Sequence, residues 1–181
     1  MGSKKAAVFF PGIGYGLDRP LLYYAKKIAL QRGYETIDVP YTGFPKKVRG
    51  NKAKMKESFD IAMAQTEEIL KDVDFSEYKD IIFVSKSVGT VVAAHYAHEH
   101  NIAVNHVFFT PLEETFMHND QKGVVFHGTN DPWAETLAIQ KKCAELKLPL
   151  NLYEGANHSL ETGDVAKDLQ YLTDIMMRLL D

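Results

Sequence analysis

Ile81-Ile82-Phe83-Val84-Ser85-Lys86-Ser87-Val88-Gly89-Thr90-Val91-Val92-Ala93-Ala94 decides how this chain is read. An apolar run passes through a tight small-x-Ser-x-Gly turn into a helix of small and β-branched residues. A strand–turn–helix of this kind lifts one side chain above the edge of a sheet, the arrangement of a nucleophile elbow. The residues two before and two after Ser87 must lack bulk because backbones nearly touch there; Ser85 and Gly89 meet that need. Ser is also a favoured helix N-cap, so the motif needs partners elsewhere before it means chemistry.

Outward from this turn, apolar strand-like runs alternate with helix-period segments. Strands are expected over 6–10, 35–40, 81–85, 106–110, 123–127 and 150–153. Helices are expected over 20–32, 54–72, 88–100, 135–147 and 165–180. Runs such as Val124-Val125-Phe126 and Val107-Phe108-Phe109 are bulky on successive residues, as in strands covered on both faces by crossover helices. The alternation implies a three-layer α/β/α sandwich on a mainly parallel six-stranded sheet, with 1–181 as one domain. Gly33 suits a left-handed cap on the first helix, and Asp164 can cap the last. The longest irregular stretch, 41–53, leaves the carboxyl end of a strand, where open α/β sheets place their sites.

Two later strands end in polar loops. His127-Gly128-Thr129-Asn130-Asp131-Pro132-Trp133 follows one, and Glu154-Gly155-Ala156-Asn157-His158-Ser159 follows the last. A nucleophilic Ser87 needs a base and the base an orienting carboxylate, which His158 and Asp131 supply. Their chain order, Ser…Asp…His, is that of α/β-hydrolases. His127 is a rival base and Glu135 a reserve acid. Phe10-Pro11-Gly12-Ile13-Gly14-Tyr15-Gly16, beyond the first strand, offers backbone N–H groups for an oxyanion hole. Val88, at a helix start, should give one donor and Gly12 or Ile13 the other.

On these residues the chain resembles the small, capless α/β-hydrolases related to dienelactone hydrolases and carboxylesterases, along nearly its whole length. The resemblance implies Ser87 as nucleophile, His158 as general base, Asp131 as its partner and 11–13 in the oxyanion loop. Ser85 stands where the elbow usually has Gly, and Pro11 where many members have His. The family's two leading antiparallel strands have no room before Ala6, which suggests a minimal six-stranded sheet. Only 111–122 separates the fourth strand from the fifth, so no lid domain fits. The implied function is hydrolysis of a carboxylic ester or thioester of a small or exposed acyl substrate. The other reading is a catalytically silent protein that binds a ligand or partner on the same fold.

Tyr15, Tyr41, Leu112 and Trp133 follow strand ends and are candidate walls of the substrate site. Lys86 either meets an acidic substrate or points into solvent. No cofactor is called for. Gly12, Gly14 and Gly16 miss the dinucleotide spacing, since position 17 is Leu17, and Asp38 is the only ribose-binding acid candidate. His95, His98 and His100 share a helix without a further recognisable ligand, so no metal site is expected. A net charge of −3 gives no case for nucleic acid. The basic run from Lys46 to Lys56 reads as a solvated loop and helix start. The single Cys143 excludes an internal disulfide framework. Lys4-Lys5 precede too short an apolar run for a secretory signal, and no stretch suggests a membrane partner; a cytoplasmic protein is expected.

Overall fold

Ala6 to Phe10 are all buried, and alternate side chains enter different clusters: Ala7 and Phe9 pack on one side of the strand, Val8 and Phe10 on the other. A strand with two dry faces needs helices on both, and the computed structural model, which describes residues 4–180, supplies them. The elements run β1 (Lys4–Phe10), α1 (Pro20–Gln31), β2 (Glu35–Asp38), α2 (Lys52–Leu70), β3 (Tyr78–Lys86) and α3 (Val88–Glu99). They continue through β4 (Asn105–Phe109), β5 (Gly123–Gly128), α4 (Thr136–Leu146), β6 (Leu150–Tyr153) and α5 (Val165–Leu180). Short 3-10 turns occupy Phe75–Glu77 and Glu113–Phe116.

The strands form one six-stranded sheet in the order β2-β1-β3-β4-β5-β6, and every neighbouring pair is parallel. Helices α1 and α5 cover one face with Leu21, Leu22, Ala25, Ile175 and Met176. The other face is covered by α2 and α3 through Ala62, Leu70, Val92 and Tyr96, and by α4 through Ile139 and Cys143. Phe9, Phe83, Phe108, Phe109 and Phe126 are fully buried. Removing each such ring from water contributes about 2–3 kcal/mol.

Local rules explain the ends. Pro20 opens α1, and Gly33, at φ +78°, turns the chain out of it. Asn51 Oδ1 accepts the Lys54 N–H at the head of α2. Asp164 Oδ1 accepts the Ala166 N–H and so caps α5. β3 begins at Tyr78, ahead of the expected 81, because Tyr78-Lys79-Asp80 pairs with β1 while remaining polar. β2 stops at Asp38, short of the expected Pro40, a residue without an N–H to donate to a ladder.

From β1 the chain steps outward to β2, then returns to place β3 on the other side of β1. The strand order therefore reverses between β1 and β3, and loops leaving their carboxyl ends part around a crevice. Ser87 and the 11–16 loop both stand at that edge. No helix among the described residues is long and apolar enough to cross a membrane.

Candidate active site

Ser87 joins β3 to α3 with φ +57° and ψ −125°, a conformation costly for any residue with a side chain. The surroundings hold it there. The Ser87 N–H donates to Phe109 O at 3.2 Å, and its carbonyl accepts the Thr90 N–H at 2.9 Å. A Cβ on Gly89 would stand 2.5 Å from both Phe10 O and Pro11 O, so only glycine lets α3 approach the end of β1. Ser85 is accommodated where the elbow usually has Gly, its Oγ 3.3 Å from the Val107 carbonyl of β4. Ser87 makes no side-chain cap bond to α3. Its hydroxyl is committed elsewhere.

That commitment is to His158. Ser87 Oγ lies 2.8 Å from His158 Nε2, and His158 Nδ1 lies 2.7 and 2.9 Å from the two oxygens of Asp131. A carboxylate only accepts, so Nδ1 carries the proton and Nε2 is left to accept from the hydroxyl. The Asp131 side chain has no solvent exposure, and its Oδ1 also accepts the Trp133 N–H at 2.8 Å. The Trp133 ring stacks on the imidazole, centroids 5.3 Å apart. Burial, and then the positive charge of Lys86, hold the His158 pKa down at about 4 despite Asp131.

Neither rival is hydrogen-bonded into this chain. His127 is fully buried, with Nδ1 3.9 Å from Asp131 Oδ2 and Nε2 3.1 Å from Thr136 Oγ1. Burial pushes its pKa down. Glu135 is exposed just ahead of α4.

The loop after β1 is folded by a bridge between Gly12 and Tyr15. The Gly12 N–H donates to Tyr15 O at 3.0 Å, which corrects the expectation that Gly12 could be a free donor. Gly12 matters instead because a Cβ there would sit 2.9 Å from the Ser87 Cβ. Among the described residues the Ile13 N–H has no hydrogen-bond acceptor. Val88 opens α3, so its N–H has no acceptor one turn back. Ile13 and Val88 both line the cavity beside Ser87.

That cavity has a volume of about 370 Å³ and apolar walls. Leu112 and Trp133 line it; Tyr15 and Tyr41 do not. Tyr15 turns inward, 8 % exposed, its hydroxyl accepting the Leu21 N–H. Tyr41 packs on the α2/α3 side of the sheet and pairs with Thr66 Oγ1. Both rings are drawn into cores that a loop position in the sequence does not reveal. The wall comes instead from Val48, Met55, Phe59 and Val91, together with His95 and His118. The irregular 41–53 segment and the start of α2 thus fold over the site. The helical spacing of Met55 and Phe59 was the one signal in the sequence that could have found this face.

Lys86 is neither a solvent lysine nor a substrate contact. It is fully buried, its Nζ 2.5 Å from Thr110 Oγ1. Asp38, the ribose-binding candidate, pairs with Lys26 at 2.6 Å. His98 pairs with Asp120, and His100 with Glu67.

No protein-family model and no curated protein sequence matches the chain. Solved structures do match, and over almost its full length. An esterase from Pyrococcus furiosus superposes with a TM-score of 0.67 at 13% identity, covering 99% of this chain and 83% of that one. A serine hydrolase without lid from Xanthomonas campestris gives 0.61 at 10%, covering 99% and 81%. An α/β serine hydrolase homologue from Coxiella burnetii gives 0.55 at 13%, covering 98% and 87%. The chain has the α/β-hydrolase fold. Between β4 and β5 it carries one 3-10 turn and loop in place of a cap.

Proposed function

We propose that the protein is a serine hydrolase that cleaves a carboxylic ester or thioester through an acyl-enzyme on Ser87. The observation that carries this reading is the unbroken hydrogen-bonded chain from Ser87 Oγ through His158 to buried Asp131, opening on an apolar cavity. Ser87 Oγ attacks the carbonyl carbon as His158 Nε2 takes its proton, and the N–H groups of Ile13 and Val88 receive the oxyanion. The imidazolium returns that proton to the leaving alcohol or thiol, which departs and leaves the acyl group on Ser87. Water, deprotonated by His158, then frees the acid and restores the serine. Asp131 keeps the imidazole in the required tautomer throughout. No step calls for a metal or organic cofactor.

The cavity supports an apolar acyl chain of short to medium length, bounded by Phe59, Val91 and Trp133. A series of p-nitrophenyl esters tests this. Specificity, kcat/KM, should rise about tenfold from acetate to butyrate, as two further methylenes leave water at about 0.8 kcal/mol each. The pH profile should carry a second mark. His158 must be neutral to act as base, and its pKa lies at about 4 instead of the usual 6.5, so activity should persist to about pH 5 and fall only below that. Absence of turnover on every ester by the folded protein would remove the hydrolase reading in favour of ligand binding.

A further inference from the structure

A fully buried lysine immediately before the nucleophile is not required by any step above. Lysine is almost never fully buried without a charged partner, and burial makes its ammonium form costly. Lys86 hydrogen-bonds to a hydroxyl instead. Its Nζ donates to Thr110 Oγ1 at 2.5 Å, and Thr110 Oγ1 donates onward to the His158 carbonyl at 3.1 Å. On its other side Nζ stands 5.0 Å from the centre of the Tyr15 ring, and the Tyr15 backbone is bridged to Gly12. One amino group therefore touches the elements that deliver the nucleophile, the base and the oxyanion loop.

Thr110 gives the second observation. It follows β4 directly at φ +41°, a region that β-branched residues avoid. Its N–H is fixed to Phe126 O at 2.8 Å, and its hydroxyl is shared between Lys86 and His158. Strain of this kind persists only where surrounding contacts over-determine it, and here they include the loop that carries the base.

We infer that Lys86 is a positioning residue: through Thr110 it fixes the His158 loop against the Ser87 elbow and sets its amino group two hydrogen bonds from the backbone of the base. The charged and titratable groups around this pair come from β5 and from the loops that follow β1, β5 and β6. Asp131 follows β5, His127 lies on it, Glu161 follows β6 and Tyr15 follows β1. Burial opposes the charged lysine more strongly than Asp131 and Glu161 favour it, which brings its pKa down to about 7. In the acidic range where His158 titrates, Lys86 is therefore protonated and repels a proton from the ring. The kinetic part of this inference rests on the hydrolase reading; the effect on the imidazole does not.

The chain's single tryptophan, stacked on His158, provides a readout independent of activity, because an imidazolium quenches an adjacent indole. Fluorescence titration of the wild type should show a transition near pH 4 that is absent in His158→Gln. In Lys86→Met, which keeps the volume and removes the charge, its midpoint should rise by about one unit. The acid limb of ester turnover should move with it. Thr110→Val keeps shape and lysine but cuts the link, and should lower kcat about tenfold at unchanged KM, as expected when a catalytic geometry loosens. An upward fluorescence shift in a protein that turns over no ester would sustain the inference and remove only the hydrolase reading. An unmoved midpoint in folded Lys86→Met would overturn it, leaving the lysine as packing. So would a Thr110→Val enzyme with wild-type kcat, which also decides the matter if Lys86→Met does not fold.

Discussion

Ser87→Ala is expected to lower kcat for esters by about 10⁶-fold, the scale seen when a nucleophile of this type is removed from another serine hydrolase. On the proposed mechanism the remaining rate would come from the Ile13 and Val88 amides and from binding, which the substitution leaves in place. Stability should barely change. Alanine meets the same positive φ as serine, and the loss at His158 Nε2 is one hydrogen bond at a site that solvent reaches. Thermal denaturation beside the kinetics separates the two effects. A folded Ser87→Ala protein retaining more than about one hundredth of wild-type turnover would place the nucleophile elsewhere.

Asp131→Asn is expected to cost about 10⁴ in kcat near neutral pH, as in other triads where the acid becomes an amide. The loss follows from geometry particular to this loop. Oδ1 accepts the Trp133 N–H at 2.8 Å, so an asparagine must keep its carbonyl oxygen on that side. Its NH₂ group then occupies the Oδ2 position, 2.7 Å from His158 Nδ1, and donates where a carboxylate accepts. That contact favours the tautomer with its proton on Nε2, the atom that should accept from Ser87, over one that keeps Nδ1–H on the remaining oxygen at 2.9 Å. The folded, mispaired site should lose turnover while KM moves little. His127, buried and turned to Thr136, is not placed to substitute, and exposed Glu135 does not reach the site. Wild-type kcat in Asp131→Asn would mean that another group orients the base.

Stability should also answer to acid through the buried imidazoles. Burial depresses His106 to about 3 and His158 to about 4, and it lowers His127 as well. Below the ordinary value of 6.5 the unfolded chain binds these protons before the folded one does, so stability falls as pH falls through that range. Kinetics toward pH 4 therefore need a parallel measure of the folded fraction.

How much of this was legible in the sequence follows from what local pattern encodes. Runs such as Val107-Phe108-Phe109 name a strand with two dry faces wherever they occur, and the strict βα alternation then leaves few topologies. The elbow is equally local, since Ser85, Ser87 and Gly89 carry its steric demands within five residues. Asp131 and His158 could be placed beside Ser87 because parallel strands bring successive carboxyl ends to one edge.

Side-chain direction in loops was not legible. Tyr15 and Tyr41 stand at the correct edge, yet one turns beneath the loop to take the Leu21 N–H and the other packs beside α2. The Gly12 amide is consumed by a bridge that depends on the tight turn through Gly14, at φ +71°. The cavity wall depends on the path of 41–53, which has no periodicity to read. Lys86 was the hardest case. Its burial requires Thr110, twenty-four residues away, to be held in a conformation that threonine does not choose.

Labelling with a fluorophosphonate, followed by mass analysis of the modified peptide, tests the central claim most directly. A single adduct on Ser87, lost in Ser87→Ala and strongly slowed in Asp131→Asn, is the result predicted for an activated serine. A folded wild-type protein that takes no label, or takes it at another residue, would contradict the account.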